Sequence, residues 1–597
     1  MLPLNRARYH NLTMPSMPRR LSTTVLVVLL LSLVVPLRAR DNPAIFPLSD
    51  VKPGMKGVVY TIFANDQVEK VDLEVIGILH NALGPKQDII LVELLGDKSA
   101  HTGVAAGMSG SPVYFDGKLA GALSLKLGAF TKEAIGGVTP IEDMLDVEKS
   151  SSPPPAAGRG PVSLGEFAQL TATGSGPLLV PIDTPLITSG LYPETLAQFG
   201  TQLSRWGVAT MAGGSALPTT QDGVIQAGDM VGMDLVRGDL SISAGCTVTS
   251  VEGDRILACG HPLFGFGSVK IPLSRAHVLM TLASAAESTK VISTGGTIGT
   301  LTEDRQTAVM GTLGPGPSMI PVDVALATPA AEKKFHFEVV ESPQLTPLLV
   351  ALAAYNGIVG SPAYGEGSTL ELDGTIDLQG HTPVRVEDLF APSDQPVPTG
   401  FFAATEVQSA FARIYSNSYE QPKVERVSLK IRTLAERRSA TIDGAWTEKS
   451  EVHPGEVVAV RVLLRPYRGA PFVQELPVTI PAQSSRGLLQ LVISDAGFLN
   501  RNVPSLASSS PGLEQLIKLV NRERHNNRLY ATLLQSTPTM LVEDKEMPNV
   551  PASEINVLDQ HQYPGGARLL WQSTAGEWSV EMHQVISGQH MLTITVK

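Results

Sequence analysis

Short runs of β-branched and leucine residues, each closed by a turn dipeptide, recur through most of this chain and confine it to a β-rich fold. Gly57 to Phe63, Val71 to Leu79 and Ile89 to Leu95 are such runs, separated by Asn65-Asp66 and by Gly84-Pro85. Val113 to Phe115 and Leu119 to Leu125 flank Asp116-Gly117, a pair favoured in two-residue hairpin loops because both residues tolerate positive φ. At 597 residues, with 55 Gly and 44 Pro, the chain is too long for one hydrophobic core, so several mainly β domains are expected.

The N-terminus reads as a signal peptide over residues 1–40. Arg19 and Arg20 precede an uncharged run from Leu21 to Leu37, and Arg38, Ala39 and Arg40 follow. Its most apolar part, Val25 to Val35, is shorter than the roughly 20 residues a membrane-spanning helix needs, which favours cleavage near Ala39 over a retained anchor. The expectation is an exported protein of the periplasm or cell envelope, with no stable membrane span after cleavage. The remainder divides into a β-domain at 41–148, a proline-rich linker at 149–162, a β-rich domain at 163–385, a second linker at 386–400 and an accessory domain at 401–597.

In the accessory domain Val458, Val460, Val462 and Leu464 alternate as in a half-buried sandwich strand, while Leu513, Leu516, Ile517 and Val520 fall at helical spacing. A β-sandwich-like module with a short helix is expected there, suited to contact with another envelope protein. Further helices are expected just past Tyr192, over Ala276 to Glu287 and over Leu345 to Ala354.

A net charge of -11 and the lack of a long basic run argue against nucleic acid as a partner. The twelve histidines are scattered and neither cysteine has the spaced partners that zinc sites use, so no metal or other cofactor is expected. Cys246 and Cys259 lie on two β-like runs joined by Glu252-Gly253-Asp254-Arg255, and could face each other as a disulfide across a hairpin or stay as two buried thiols.

Chemistry concentrates at Gly107-Met108-Ser109-Gly110-Ser111-Pro112, a serine between glycines at the mouth of a hairpin. Glycine permits the positive φ and close backbone approach that a serine nucleophile and its oxyanion pocket require; the same cluster could also be a tight turn and nothing more. A serine needs a base, and histidine has the pKa for it near neutrality. His101 lies close to Ser109 in sequence, and His80 and His261 are candidates on strand-associated turns, His261 at a strand end between Gly260 and Pro262.

Two blocks resemble the SpoIVB-type serine peptidases. One is the serine turn followed by Asp116-Gly117-Lys118-Leu119 and Gly121-Ala122; the other is the hairpin ending in Gly260-His261-Pro262, followed by Ile298-Gly299-Thr300-Leu301 and Gly311-Thr312-Leu313. The resemblance covers about residues 45 to 145 and 235 to 320, and implies a chymotrypsin-like double β-barrel core. It implies Ser109 as nucleophile and His261 as general base, with the Gly107 and Ser109 amides as oxyanion hole. Protein or peptide substrates follow, the chain itself among them. In that family the histidine block comes first, so the order here implies circular permutation. The family's acidic residue has Glu93 and Asp97 as its candidate counterparts. The alternative expectation is a non-catalytic envelope scaffold that keeps a protease-like barrel for binding.

Overall fold

Turn chemistry shapes the first sheet of the computed structural model. Strands β1 (Lys56–Ile62), β2 (Val68–Gly84), β3 (Gln87–Leu94), β4 (Ser111–Phe115), β5 (Lys118–Leu127) and β6 (Ile135–Pro140) pair antiparallel in the order β4-β1-β2-β3-β6-β5. β5 then returns to β4 and closes a six-stranded barrel. Asn65 and Asp66 have φ 55° and 54°, and Asp116 and Gly117 have φ 50° and 75°. These left-handed turns carry the twist that lets flanking strands wrap into a closed surface. Val59, Leu73, Ile90, Val92, Val113 and Phe115 belong to its buried core. β7 (Leu179–Pro181) adds to the edge of β5.

The structure describes residues 44–128, 132–149, 179–204, 208–212, 214–215, 223–328, 331–361, 364–365, 367–484, 486–502, 512–535, 539–542, 545–548, 550–551, 553–555, 557, 567–570 and 573–597. The expected signal peptide and residues 150–162 of the expected first linker lie outside them.

A second, curled sheet begins with β8 (Thr184–Ser189), β9 (Val208–Ala212), β10 (Gly214–Ser215), β11 (Met230–Gly238), β12 (Ser241–Glu252) and β13 (Arg255–Ala258). It continues with β14 (Gly267–Leu282), β15 (Thr289–Arg305), β16 (Ala308–Leu313), β17 (Ile320–Ala327), β18 (Glu332–Val339), β19 (Thr369–Leu378), β20 (Val384–Phe390) and β21 (Val424–Leu434). Within it, β11-β14-β15-β16-β13-β12 form a circuit of antiparallel pairings that returns to β11. Helices α1 (Pro193–Ser204), α2 (Thr346–Val359) and α3 (Thr399–Tyr415) cover the sheet, with Phe199, Tyr355 and Phe401 in mutual ring contact.

Two expectations are corrected here. Ala276 to Leu282 is strand, because Ala276 and Val278 face inward onto Ile292 while the segment pairs with β15, and that pairing overrides the helix propensity of its Ala, Leu and Met. The segment 386–400 does not divide two domains: Val384 and Val386 of β20 and Ala403, Val407 and Phe411 of α3 on its far side all lie in the core of the second sheet.

The sandwich begins at Ser439 instead. Sheets containing Ser439–Thr447, Val457–Pro466 and Phe472–Thr479 on one side and Gly487–Ser494, Arg528–Gln535 and Gln589–Val596 on the other share one apolar core. Among the described residues no helix is long and apolar enough to cross a membrane.

Candidate functional site

The serine turn leaves its barrel to reach the second sheet. Ala106 accepts from the Lys290 amide at 3.1 Å and donates to the Ser288 carbonyl at 2.8 Å, which binds the strap before the turn to β15. Past it, the Thr247 amide donates to the Ser109 carbonyl at 2.8 Å, and the Thr247 and Thr249 hydroxyls donate to the carbonyls of Gly107 and Gly110 at 3.0 and 2.8 Å. Gly110, at φ 93°, must be glycine: a Cβ there would lie 1.9 Å from the Thr247 carbonyl oxygen and 2.5 Å from the Cys259 nitrogen.

Cys259 leads to the histidine. It is joined to Cys246 in a disulfide with a Cα separation of 5.3 Å, across the β12-β13 hairpin. Cys259 and Gly260 both take positive φ, which turns the chain out of β13. The Gly260 carbonyl accepts from the Thr139 hydroxyl of β6 at 2.8 Å, so the loop docks on the barrel that carries the serine. Beyond His261, the buried Asp304 carboxylate accepts from the amides of Leu263, Phe264 and Gly265 at 2.7 to 2.8 Å, and from Phe266 at 3.4 Å.

Ser109 and His261 are thus brought to one seam between the two sheets, both buried. The Oγ of Ser109 and the Nε2 of His261 are both buried and without a hydrogen-bond partner, so they do not bond each other. Such orphans are rare because they leave desolvation uncompensated. The imidazole Nδ1–H donates to the Pro262 carbonyl at 2.8 Å, which leaves the Nε2 lone pair free. Burial pushes the ring pKa down, against the weaker opposing pulls of the Pro262 carbonyl, the Asp183 charge and the Ile182 backbone, so the ring is a neutral base.

Neither expected carboxylate acts on the imidazole. Glu93 is half-buried on β3 opposite Glu74, and Asp97 is exposed in the short helical turn Asp97–Thr102. The carboxylate whose charge reaches the imidazole is Asp183, which makes no hydrogen bond to the ring. Burial works to raise its pKa, but a hydrogen bond with Glu287 and the Lys126 ammonium at 2.6 Å hold it below the usual range. Its only trace in the sequence is its position just after the apolar run Leu178 to Ile182. The expected oxyanion pair is also corrected. The Gly107 amide already donates to the Asp183 carbonyl at 3.2 Å, which leaves the Ser109 amide.

A further residue escaped sequence reasoning. Lys290 is 1% exposed, and its Nζ donates to the hydroxyls of Thr61 at 3.0 Å and Thr247 at 3.4 Å, with no carboxylate paired to it. Burial alone pushes its pKa down to about 7. Its alternation with the buried Ile292 on β15 was the available signal.

His80 pairs with Asp88 on an exposed hairpin and His101 ends an exposed helical turn, so neither joins the site. A cleft of about 510 Å³, bordered by Lys86, Asp143, Asp146, Gly265, Gly267 and Asp304, opens at the far end of the histidine loop. Neither Ser109 nor His261 lines it. Among the described residues no group of three or more His, Cys, Asp or Glu side chains could hold a metal ion. No known protein family, curated protein or solved structure matches this chain.

Proposed function

We propose that the protein is an exported serine endopeptidase of the SpoIVB type, built on a chymotrypsin-like pair of barrels in permuted order. The single observation that carries this is the pair of orphaned buried atoms, Ser109 Oγ and His261 Nε2, presented at one seam by two different sheets. The closed barrel of β1–β6 supplying the serine, and the antiparallel circuit of β11–β16 supplying the histidine, support the double-barrel reading. In it, Ser109 Oγ attacks a peptide carbonyl, His261 Nε2 takes the serine proton and returns it to the leaving amine, and the Ser109 amide faces the oxyanion. The Pro262 carbonyl, rather than a carboxylate, fixes the imidazole tautomer. Water then releases the acyl group.

The test is to incubate the purified full-length chain with casein and with diisopropyl fluorophosphate, and to locate the adduct by peptide fragmentation. An adduct on Ser109 that is lost in His261→Ala supports the peptidase; no cleavage and no Ser109 adduct defeats it. A second reading, a non-catalytic envelope scaffold with its partner on the C-terminal sandwich, is favoured by one observation. Ser109 and His261 are 0% and 6% exposed, closed to a polypeptide substrate in this conformation.

A further inference from the structure

The serine turn holds a second hydroxyl, Ser111, linked through Thr61 to the amine of Lys290. Ser111 Oγ donates to Thr61 Oγ1 at 3.0 Å, and Thr61 Oγ1 is also 3.0 Å from Lys290 Nζ. Ser111, Thr61 and Lys290 are 0%, 2% and 1% exposed, so the three-membered chain is buried at the seam. The stem of Lys290 packs directly under Gly107, where an added Cβ would sit 3.3 Å from Lys290 Cδ. The amine's partners are Thr61 of β1 and Thr247 of β12, while Met230 of β11 and the Lys290 stem both lie against Gly107. None is charged, and no charged group acts on Lys290. A buried ammonium with only hydroxyl partners is costly, whereas a neutral amine at the same place has a lone pair to offer.

We infer that the turn carries a second nucleophile toward peptide carbonyls, Ser111, whose proton passes through the Thr61 hydroxyl to the Lys290 amine. This rests on the reading of the turn as an acyl-transfer site. The Ser111 O–H bond breaks as its Oγ bonds to the carbonyl carbon; Thr61 accepts that proton and gives its own to Nζ. When the tetrahedral adduct collapses, the C–N bond breaks and the leaving amine takes the proton back from the Lys290 ammonium by the same route. Water entering as the amine leaves then bonds to the acyl carbon while its proton passes through Thr61 to the Lys290 amine; the ester C–O bond breaks, and Ser111 Oγ takes that proton back from the Lys290 ammonium by the same route.

Diisopropyl fluorophosphate is compact enough to probe a shielded turn, and fragmentation of the labelled peptide separates Ser109 from Ser111. The expected result is a Ser111 adduct in the full-length chain and in Ser109→Ala, with a rate rising about tenfold per pH unit below pH 7 and levelling above it. Lys290→Met lowers the Ser111 rate at least tenfold and removes its rise with pH below 7; a Ser111 rate that keeps its pH profile in this variant overturns the relay. Should Lys290→Met fail to fold, Thr61→Val, of equal volume, carries the test: it abolishes the Ser111 adduct, and Thr61→Ser restores it. No Ser111 adduct in either background, or an unchanged Ser111 rate in Thr61→Val, overturns the relay. A Ser109 adduct without a Ser111 adduct fails the relay alone; a Ser111 adduct without a Ser109 adduct fails only the Ser109 assignment.

Discussion

The Thr247 amide donates to the Ser109 carbonyl at 2.8 Å, and the Thr247 carbonyl in turn accepts from the Cys259 amide at 3.3 Å. One residue of β12 therefore bridges the serine turn and the root of the histidine loop, segments about 150 residues apart in sequence. The register of β12 fixes where both stand, so disturbing that bridge disturbs both halves of the site together.

Gly110 is the sensitive point of the bridge. Gly110→Ala forces a Cβ onto the Thr247 carbonyl at φ 93°, and is expected to cost about 3 kcal/mol or more. Gly117→Ala, also at positive φ but with nothing within 4 Å, should cost only about 1 kcal/mol. Urea unfolding of the two variants measures the difference; equal losses would mean that backbone conformation alone, not the Thr247 contact, demands glycine at 110.

Much of this seam was legible in the sequence. Asp116-Gly117 and Asn65-Asp66 announced their hairpins because turn chemistry is local, and Ser109 and His261 stood out because each sits beside glycine at a strand end. Asp183 and Lys290 did not stand out. Each is a single polar residue next to an apolar run, and its meaning comes from partners far away in sequence: His261 for the first, Thr61 and Thr247 for the second. Helix propensity misled over Ala276 to Leu282 for the same reason, since pairing with β15 is a tertiary fact.

Asp304 is expected to hold the histidine loop rather than to react. Asp304→Ala leaves the buried Leu263 and half-buried Phe264 amides, and that of the exposed Gly265, without their acceptor, at a cost on the order of 3 kcal/mol. Hydrogen exchange at residues 263–266 should accelerate far more than at Val59 or Val113 in the barrel core. Unchanged protection in the loop would show that Asp304 does not anchor it.

His261 should make the fold acid-sensitive. Burial lowers its folded pKa below the ordinary 6.5, so between the folded value and 6.5 the unfolded chain binds a proton that the folded chain does not. Stability from this group is complete above about 6.5 and declines as pH falls through the interval below it. Wild type should lose more stability than His261→Gln between pH 7 and pH 5, read from urea midpoints. Parallel losses would mean that folding leaves the pKa of the ring unchanged.

Lys290 has the same sign over a different range. Its ordinary value is 10.5 and its folded value is about 7, so between those two pH values the unfolded chain carries a proton on Lys290 that the folded chain has released. The slope of stability against pH is therefore positive across that window: below about 7 the fold bears the full cost of a buried ammonium, and near 10.5 none of it. Relative to Lys290→Met, whose side chain fills a similar volume and does not titrate, wild type should gain on the order of 4 kcal/mol from pH 7 to pH 10.5. Urea midpoints of the two proteins at half-unit steps give the difference directly, with every other titrating group common to both. A flat difference would mean that the amine stays charged between Thr61 and Thr247, where it could hold the turn but could not accept a proton from Ser111.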